Sequence, residues 1–315
     1  MPSLIYLLFC TKLGFKVNVF KINKCPLCGK DQFESVMTCK DHYATGEPFE
    51  ICRCRTCGFL FTQSVPAENE IGRYYESPDY ISHTDTHKGL MNRVYHYVRR
   101  YMLGRKSRLI KHSCGLSRGY LLDIGTGTGY FPHFMQKKGW RVSAIEKSPQ
   151  ARVFAKEHFG LDIDTPETLG TYPDKSFDAI TLWHVMEHLE HLNETWETLG
   201  RILKDRGVLI IAVPNADSFD AQKYKEMWAA YDVPRHLWHF TPSTMQQFGA
   251  KHGFILTQRR PMPFDAFYVS MLTEKYKKTP CYVLKGMITG AKAWAASLAK
   301  KDRSSSMIYV FRKKQ

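Results

Sequence analysis

The chain has no window of 18 uninterrupted apolar residues, which argues against a membrane-spanning helix. Internal repeats and low-complexity tracts are also missing, so a solenoid and a disordered linker are both excluded. A secretion signal is not evident. Met1-Pro-Ser-Leu-Ile-Tyr-Leu-Leu-Phe-Cys10 is apolar but short, basic residues follow it rather than precede it, and no small-residue cleavage site is seen. Residues 1–20 are read as an N-terminal extension, either a misassigned start or a stray strand. Negative charge is scarce: 30 Asp and Glu stand against 45 Lys and Arg, a net charge of +15. Such a balance suits nucleic acid, anionic lipid or an acidic substrate. The excess is scattered in pairs such as Arg99-Arg100, Arg259-Arg260 and Lys300-Lys301, and no arginine-rich tract stands out. A solvated basic surface explains it as well, and nucleic acid is the weaker choice of partner.

What is present is ample apolar material, 43% of residues with 13% aromatic, enough to bury a core. Six of the nine cysteines (Cys25, Cys28, Cys39, Cys52, Cys54, Cys57) fall within 33 residues. With no secretion signal before them, they read as metal ligands in a reducing cytoplasm rather than as disulfides. Cys25-Pro-Leu-Cys28-Gly and Cys54-Arg-Thr-Cys57-Gly make two knuckles, each with a turn glycine, separated by 25 residues. Four thiolates at this spacing suit tetrahedral Zn(II). A four-Cys site leaves zinc no open position, so Cys25, Cys28, Cys54 and Cys57 are assigned a structural role.

Three zones follow: a zinc-ribbon-like module over 21–64, a helical cap over 65–118, and an α/β domain over 119–315. Within the cap, Pro66-Ala-Glu-Asn-Glu-Ile is expected to open a short helix, and Leu90 to Ile110 shows helical spacing. In the last zone strand and helix alternate, predicting a doubly wound, Rossmann-like sheet. Predicted strands are Gly119–Ile124, Trp140–Glu146, Phe177–Trp183, Gly207–Val213 and Ser306–Arg312. Ser148-Pro149 supplies an N-cap and a first-turn proline. Such sheets bind ligands at the carboxyl ends of their strands.

The first of these strands runs into Asp123-Ile-Gly125-Thr126-Gly127-Thr-Gly129-Tyr130. A dinucleotide loop would need Gly-x-Gly-x-x-Gly, and Tyr130 stands where its last glycine belongs. Asp123 would repel a phosphate but suits a cation. S-adenosylmethionine (SAM) carries an ammonium and a sulfonium, and its carboxylate can use helix N-terminal amides. Glu146 ends the second strand, where a carboxylate can accept two ribose hydroxyls.

Leu121-Leu-Asp-Ile-Gly-Thr-Gly-Thr-Gly129, Phe177-Asp-Ala-Ile, Val185-Met-Glu-His-Leu189, Leu203-Lys-Asp-Arg-Gly-Val-Leu209 and Val213-Pro-Asn215 together resemble a class I SAM-dependent methyltransferase. The Glu-His-Leu segment makes the chain similar to the ubiquinone-biosynthesis O-methyltransferase branch. The resemblance spans roughly residues 119–260. It implies that Asp123, Gly125, Gly127, Gly129 and Glu146 bind SAM, with Thr126 and Tyr130 of the same loop and Trp183 at a strand end in the same set. It also implies that the stretch from Asp164 to Leu169 lies near adenine, with Asp164 and Glu167 both open as the contact. Some sugar and RNA methyltransferases resemble the whole layout, a zinc module ahead of the SAM domain.

Two histidine-rich segments are expected at the acceptor side. His184, Glu187 and His188 follow the strand ending at Trp183, at the i, i+3, i+4 spacing of one helical face. Related O-methyltransferases can hold a divalent ion with Glu-x-x-Glu-His and a distant His; here His184 replaces the first Glu, which leaves a second divalent ion open and favours a softer one. Trp228–Thr241 carries Asp232, Arg235, His236 and His239, and either histidine can serve as general base for a hydroxyl acceptor. The reading is therefore a methyltransferase acting on a small or conjugated acceptor, with O-methylation favoured. The alternatives are an RNA methyltransferase and a catalytically silent SAM- and zinc-binding module.

Overall fold

The alternation of buried apolar strands with capped helices produces the expected layers. The computed structural model describes residues 19–67, 70–75, 90–262 and 264–314; most of the N-terminal extension, including Cys10, lies outside them. Strand β1 (Val19–Phe20) is the exception within that extension. Next come β2 (Phe33–Lys40), β3 (Pro48–Cys54), β4 (Leu60–Gln63) and β5 (Val65–Pro66). β2, β3 and β4 form an antiparallel meander, and β5 pairs with β1.

The cap differs from expectation at its start. Pro66 ends a strand, and among the described residues before Leu90 a single 3-10 turn follows, Ile71–Tyr74. Glu70 gives that turn no side-chain cap, and Ala67 O already accepts the first amides, so nothing there nucleates an α-helix. The expected long helix is α1 (Leu90–Cys114).

The remaining elements are β6 (Tyr120–Ile124), α2 (Tyr130–Lys137), β7 (Arg141–Ile145), α3 (Pro149–Phe159), β8 (Phe177–Trp183), α4 (Leu192–Ile202), β9 (Leu203–Pro214) and α5 (Phe219–Tyr224). After them come β10 (Trp238–His239), α6 (Pro242–Lys251), β11 (Phe254–Pro261), α7 (Asp265–Tyr276), α8 (Tyr282–Ala299) and β12 (Ser306–Lys313). The large sheet runs β11-β12-β9-β8-β6-β7. Its β9, β8, β6 and β7 are parallel, while β12 inserts antiparallel between β11 and β9. This is the Rossmann-like sheet of class I methyltransferases. Ser148 caps α3 by accepting from the Ala151 amide, and Gly160 closes that helix in the left-handed conformation.

The zinc-ribbon-like module does not stand apart. β10, from the segment after β9, adds to the meander beside β4, pairing Trp238 with Phe61 and His239 with Leu60. Phe59 then packs among Trp238, Phe240 and Phe248 in one core that continues to Leu122 and Trp196. No helix of the described residues is long and apolar enough to cross a membrane.

Candidate functional site

The Asp123–Tyr130 loop leaves β6 at the carboxyl edge of the sheet. Gly125 sits at φ +67, and a Cβ there would lie 2.3 Å from Val185 Cγ2, so the loop can pass Val185 only as glycine. Gly127 is the opposite case: a Cβ on it would meet nothing within 4 Å, which leaves open space against exposed backbone. That space is a cradle of the kind a nucleoside or amino-acid moiety needs. Glu146 faces it, each carboxylate oxygen holding one amide, from Gly127 at 2.7 Å and Ser148 at 2.9 Å. Each oxygen has a second lone pair for a hydroxyl donor. Tyr130 opens α2 on the other side, its ring 4.9 Å from that of Phe159.

Asp123 lies under the loop rather than in the open cleft. It is 1% exposed, and Thr181 Oγ1 donates to its Oδ1 at 2.5 Å. Burial raises its pKa to about 6, against the lowering effect of Thr181, Thr126 and the Lys106 charge. Asp164 is bridged to Ile145 and accepts from Tyr172 at 2.8 Å, whereas Glu167 falls in a short 3-10 turn nearby.

Two residues of the rim were not anticipated. Lys106 of α1 projects its Nζ over the Trp183 ring, 4.2 Å from its centre, between the charges of Asp123 and Asp265. Burial lowers its pKa to about 8 despite those two carboxylates. Asp265, the first residue of α7, contacts His184 Nε2 at 3.1 Å. On its other side, His184 Nδ1 lies 3.4 Å from Glu187 Oε1. Burial alone would favour the neutral ring, but Asp265 and Glu187 outweigh it and hold the His184 pKa raised, at about 10. No motif in the sequence marks Asp265, and Lys106 reads as one more cation on a basic helix.

The expected helical face through His184, Glu187 and His188 is not formed. His184 takes a left-handed conformation at φ +58, and only the 3-10 turn Met186–His188 follows. Instead His184, His188 and His236 surround Glu187 from different sides. His188 and His236 meet edge to face with ring centres 4.5 Å apart. Each donates its Nδ1–H to a backbone carbonyl, Arg235 O at 3.0 Å and Ala230 O at 2.9 Å, because a carbonyl can only accept. Their Nε2 atoms are left for other partners, and His236 Nε2 lies 3.9 Å from Asp232 Oδ2. Glu187 is 1% exposed, and neither carboxylate oxygen has a hydrogen bond of good geometry. Ligand atoms of Glu187, His188 and His236 lie within 4.8 Å of one another. Burial would raise the Glu187 pKa, but His184 foremost, with His236 and His188, keeps it lowered. Burial and the neighbouring His236 pull His188 down to about 4.

His239 is not brought to this cluster. It is buried at the strand pairing with the module, bonded through Nε2 to Thr62 Oγ1 at 2.9 Å. Thr62 also donates to His236 O at 2.7 Å and, through its amide, to Leu237 O at 2.9 Å. Arg235 turns away toward the module, bonded to Asp232 and to buried Asp41 at 2.9 Å. Glu187 O accepts from the Leu237 amide, and Leu189 O from Trp238 Nε1. The segment after β9 is thus clamped on both sides.

At the far end, Cys25 Sγ lies 3.5 Å from Cys57 Sγ and Cys28 Sγ 3.5 Å from Cys54 Sγ, with all four within 4.8 Å. The distances are far too long for a disulfide. They match the edges of a tetrahedron around zinc, about 3.8 Å for 2.3 Å bonds.

Comparison with known proteins agrees with this architecture. A family described as a methyltransferase domain matches residues 94–259, more than half of the chain. Relatives include a methyltransferase of Staphylococcus carnosus without a stated substrate, 26% identical over 45% of this chain and 68% of that protein. Also similar are the mitochondrial ubiquinone biosynthesis O-methyltransferase of Schizosaccharomyces pombe (27%; 38% and 47%) and the malonyl-[acyl-carrier protein] O-methyltransferase of Serratia marcescens (29%; 39% and 49%). The chain spans about half the length of these two relatives. Among solved structures, a sarcosine dimethylglycine methyltransferase from Galdieria sulphuraria, described as putative in its own title, aligns over 67% of this chain and 86% of its own, with TM-score 0.48 and 15% identity. The glycine loop, the parallel strands that carry it and the family match over residues 94–259 make the chain a member of the methyltransferase-domain family, a class I SAM-dependent methyltransferase.

Proposed function

We propose that the chain transfers the methyl group of SAM to an oxygen of a small or conjugated acceptor. The observation that carries this reading is Glu187, a buried carboxylate paired at 3.4 Å with His184 on one side and facing the imidazoles of His188 and His236 on the other. That arrangement can take up either a proton or a cation. A methyl acceptor on oxygen must lose a proton as it attacks, which such a group of sites can supply. The two relatives named as O-methyltransferases support oxygen as the acceptor atom.

In this reading Glu146 and the Gly127 amide line the ribose and amino-acid side of SAM, and Asp123 supports the loop beneath its cation. Trp183 and Lys106 close the cleft toward the acceptor, and His184, fixed between Asp265 and Glu187, holds the carboxylate in place. Glu187, His188 and His236 also fit a divalent ion: two neutral imidazoles, each oriented by a backbone carbonyl, and one carboxylate form a common ligand set. Such an ion, when bound, would make a hydroxyl acceptor more acidic. Without it, His236 Nε2 is the base nearest the cluster. The four-Cys site fits structural zinc, which would stabilise the module.

The test uses labelled SAM and a panel of phenols, catechols and carboxylic acids, with wild type and Glu187→Gln. Transfer to oxygen that falls about 10²–10⁴-fold in the variant, at unchanged SAM affinity, is the expected result. A chelator separates the two roles: loss restored by added divalent ion supports a metal, and indifference supports His236 as base. Methylation confined to nitrogen or carbon, or full activity of Glu187→Gln, would overturn the reading.

A further inference from the structure

The C-terminal helical hairpin turns its apolar residues outward. α8 buries Gly286, Thr289, Gly290, Ala293 and Ser297. The two glycines let it approach α7 closely: a Cβ on Gly286 would stand 2.4 Å from Met271 Cα, and one on Gly290 would stand 2.7 Å from Phe267 Cα. The large side chains face the other way. Val283, Leu284, Met287, Ile288, Trp294 and Leu298 are all exposed, Leu284 at 61% and Leu298 at 67%. At about 100° per residue they fill one continuous sector of roughly 140°. An ordinary surface helix does the reverse, burying its large residues and exposing small and polar ones.

Charge frames this sector. From Lys275 to Lys301 the chain has seven lysines and no Asp, Glu or Arg. Lys285 and Lys292 are exposed and stand at one edge of the apolar sector, about 40–60° beyond Ile288 on the helical wheel. Lys300 and Lys301 follow its C-terminal end, and Lys277 and Lys278 lie in the turn before it. Monomeric proteins rarely leave an apolar patch of this extent uncovered. The helix is not apolar enough to span a bilayer. An apolar face with a lysine rim and no acidic residue is the pattern of a helix lying in a membrane interface. A second copy is the poorer fit, since a two-fold contact between these faces would bring lysine rim against lysine rim.

We infer that α8 docks this protein on an anionic phospholipid surface, with Leu284, Ile288, Trp294 and Leu298 in the acyl boundary and the flanking lysines on the headgroups. The hairpin register also gives the docked enzyme a direction. Met271 meets Gly286 and Phe267 meets Gly290, so Trp294 lies level with the start of α7, where Asp265 touches His184. Docking brings the rim of the site to the lipid surface. The inference itself does not depend on the acceptor atom.

The experiment is co-sedimentation of the full-length, zinc-containing protein with vesicles of phosphatidylcholine, with or without phosphatidylglycerol, together with light scattering of the free protein. Binding to the phosphatidylglycerol vesicles that weakens with added salt is expected. Leu284→Gln with Leu298→Gln should weaken it by about tenfold or more, since each removes an apolar side chain from the boundary. Lys285→Gln with Lys292→Gln should lower binding to the anionic vesicles and flatten the salt dependence. All four positions are exposed, so circular dichroism and melting should be unchanged. No sedimentation with anionic vesicles would overturn the inference, as would undiminished binding of the leucine variant. A dimer that the leucine variant dissolves, or RNA binding in place of vesicle binding, would equally refute it.

Discussion

Asp123 offers the sharpest test of the cofactor site, because its burial makes SAM affinity depend on pH. Its pKa is raised to about 6 by burial. A carboxyl shifted upward from about 3.9 favours the fold while protonated; that contribution is present at low pH and is lost as pH rises from about 4 through 6. At pH 7.5 the ligand-free protein therefore carries a buried carboxylate at a cost of about 3 kcal/mol, at 1.36 kcal/mol per unit. A cation placed above it relieves part of that cost. SAM should accordingly bind well at pH 7.5 and weaken about tenfold by pH 5, where each bound cation must first expel a proton. Asp123→Ala should weaken binding at pH 7.5 by about 1–3 kcal/mol, roughly five- to 150-fold. In Asp123→Asn the slope below pH 6 should vanish. Isothermal calorimetry across this range, on wild type and both variants, makes the measurement. A wild-type affinity independent of pH, or an equal slope in Asp123→Asn, would show that Asp123 only braces the loop through Thr181 and Thr126.

Further outcomes follow from the same geometry. Purified in reducing, chelator-free buffer, the protein should carry one zinc per chain by elemental analysis, and Cys25→Ser or Cys57→Ser should lose it and unfold the module. His236→Gln should lower kcat by about 10²–10⁴-fold, whereas His239→Gln, at the Thr62 contact, should leave kcat within about threefold and show its effect in thermal melting instead. Arg235→Ala leaves buried Asp41 without its ion pair and should cost about 3–5 kcal/mol in urea unfolding. Asp41 is held below the ordinary carboxylate range, burial being outweighed by the Thr45 amide and Arg235. Its contribution is thus present above about pH 4 and lost on acidification, so Asp41→Asn should flatten the acid limb of stability. Gly125→Ala should weaken SAM binding, with only partial recovery when Val185→Ala removes the 2.3 Å clash, because the φ of +67 stays strained.

The fold was largely legible because its signals are local. Ser148-Pro149 and Gly160 bound one helix in sequence as they do in space, and Phe177–Trp183 is the same strand in both. The cysteine knuckles were legible for the same reason: each brings two ligands together through one tight turn. What stayed hidden depends on distance along the chain. Asp265 reaches His184 across 81 positions, and Lys106 reaches the Asp123 region from a helix with no motif. The spacing of His184, Glu187 and His188 suggested a helical face, but a left-handed residue at His184 breaks the helix before it starts. His236 and His239 stand three residues apart and look equivalent in sequence. Pairing of β10 with β4 separates them, leaving His236 at Glu187 and His239 at Thr62.

These long-range contacts have a common logic along the carboxyl edge of the sheet. Asp123, Lys106, Asp265, His184 and Glu187 alternate in sign, each neighbour offsetting the burial of the last. The series ends at His188 and His236, each held through Nδ1 by a backbone carbonyl. Glu187 is the last carboxylate in that alternation. A buried carboxylate is costly unless it is paired, and His184 pairs Glu187 on one side. The surroundings hold it in place: the Leu237 amide fixes its backbone, Thr62 fixes the His236 carbonyl, and Arg235, next to His236 in sequence, is bonded to Asp41 and Asp232. The zinc-ribbon-like module is thereby coupled to the histidine cluster at two points, Thr62 to the His236 carbonyl and Asp41 to Arg235.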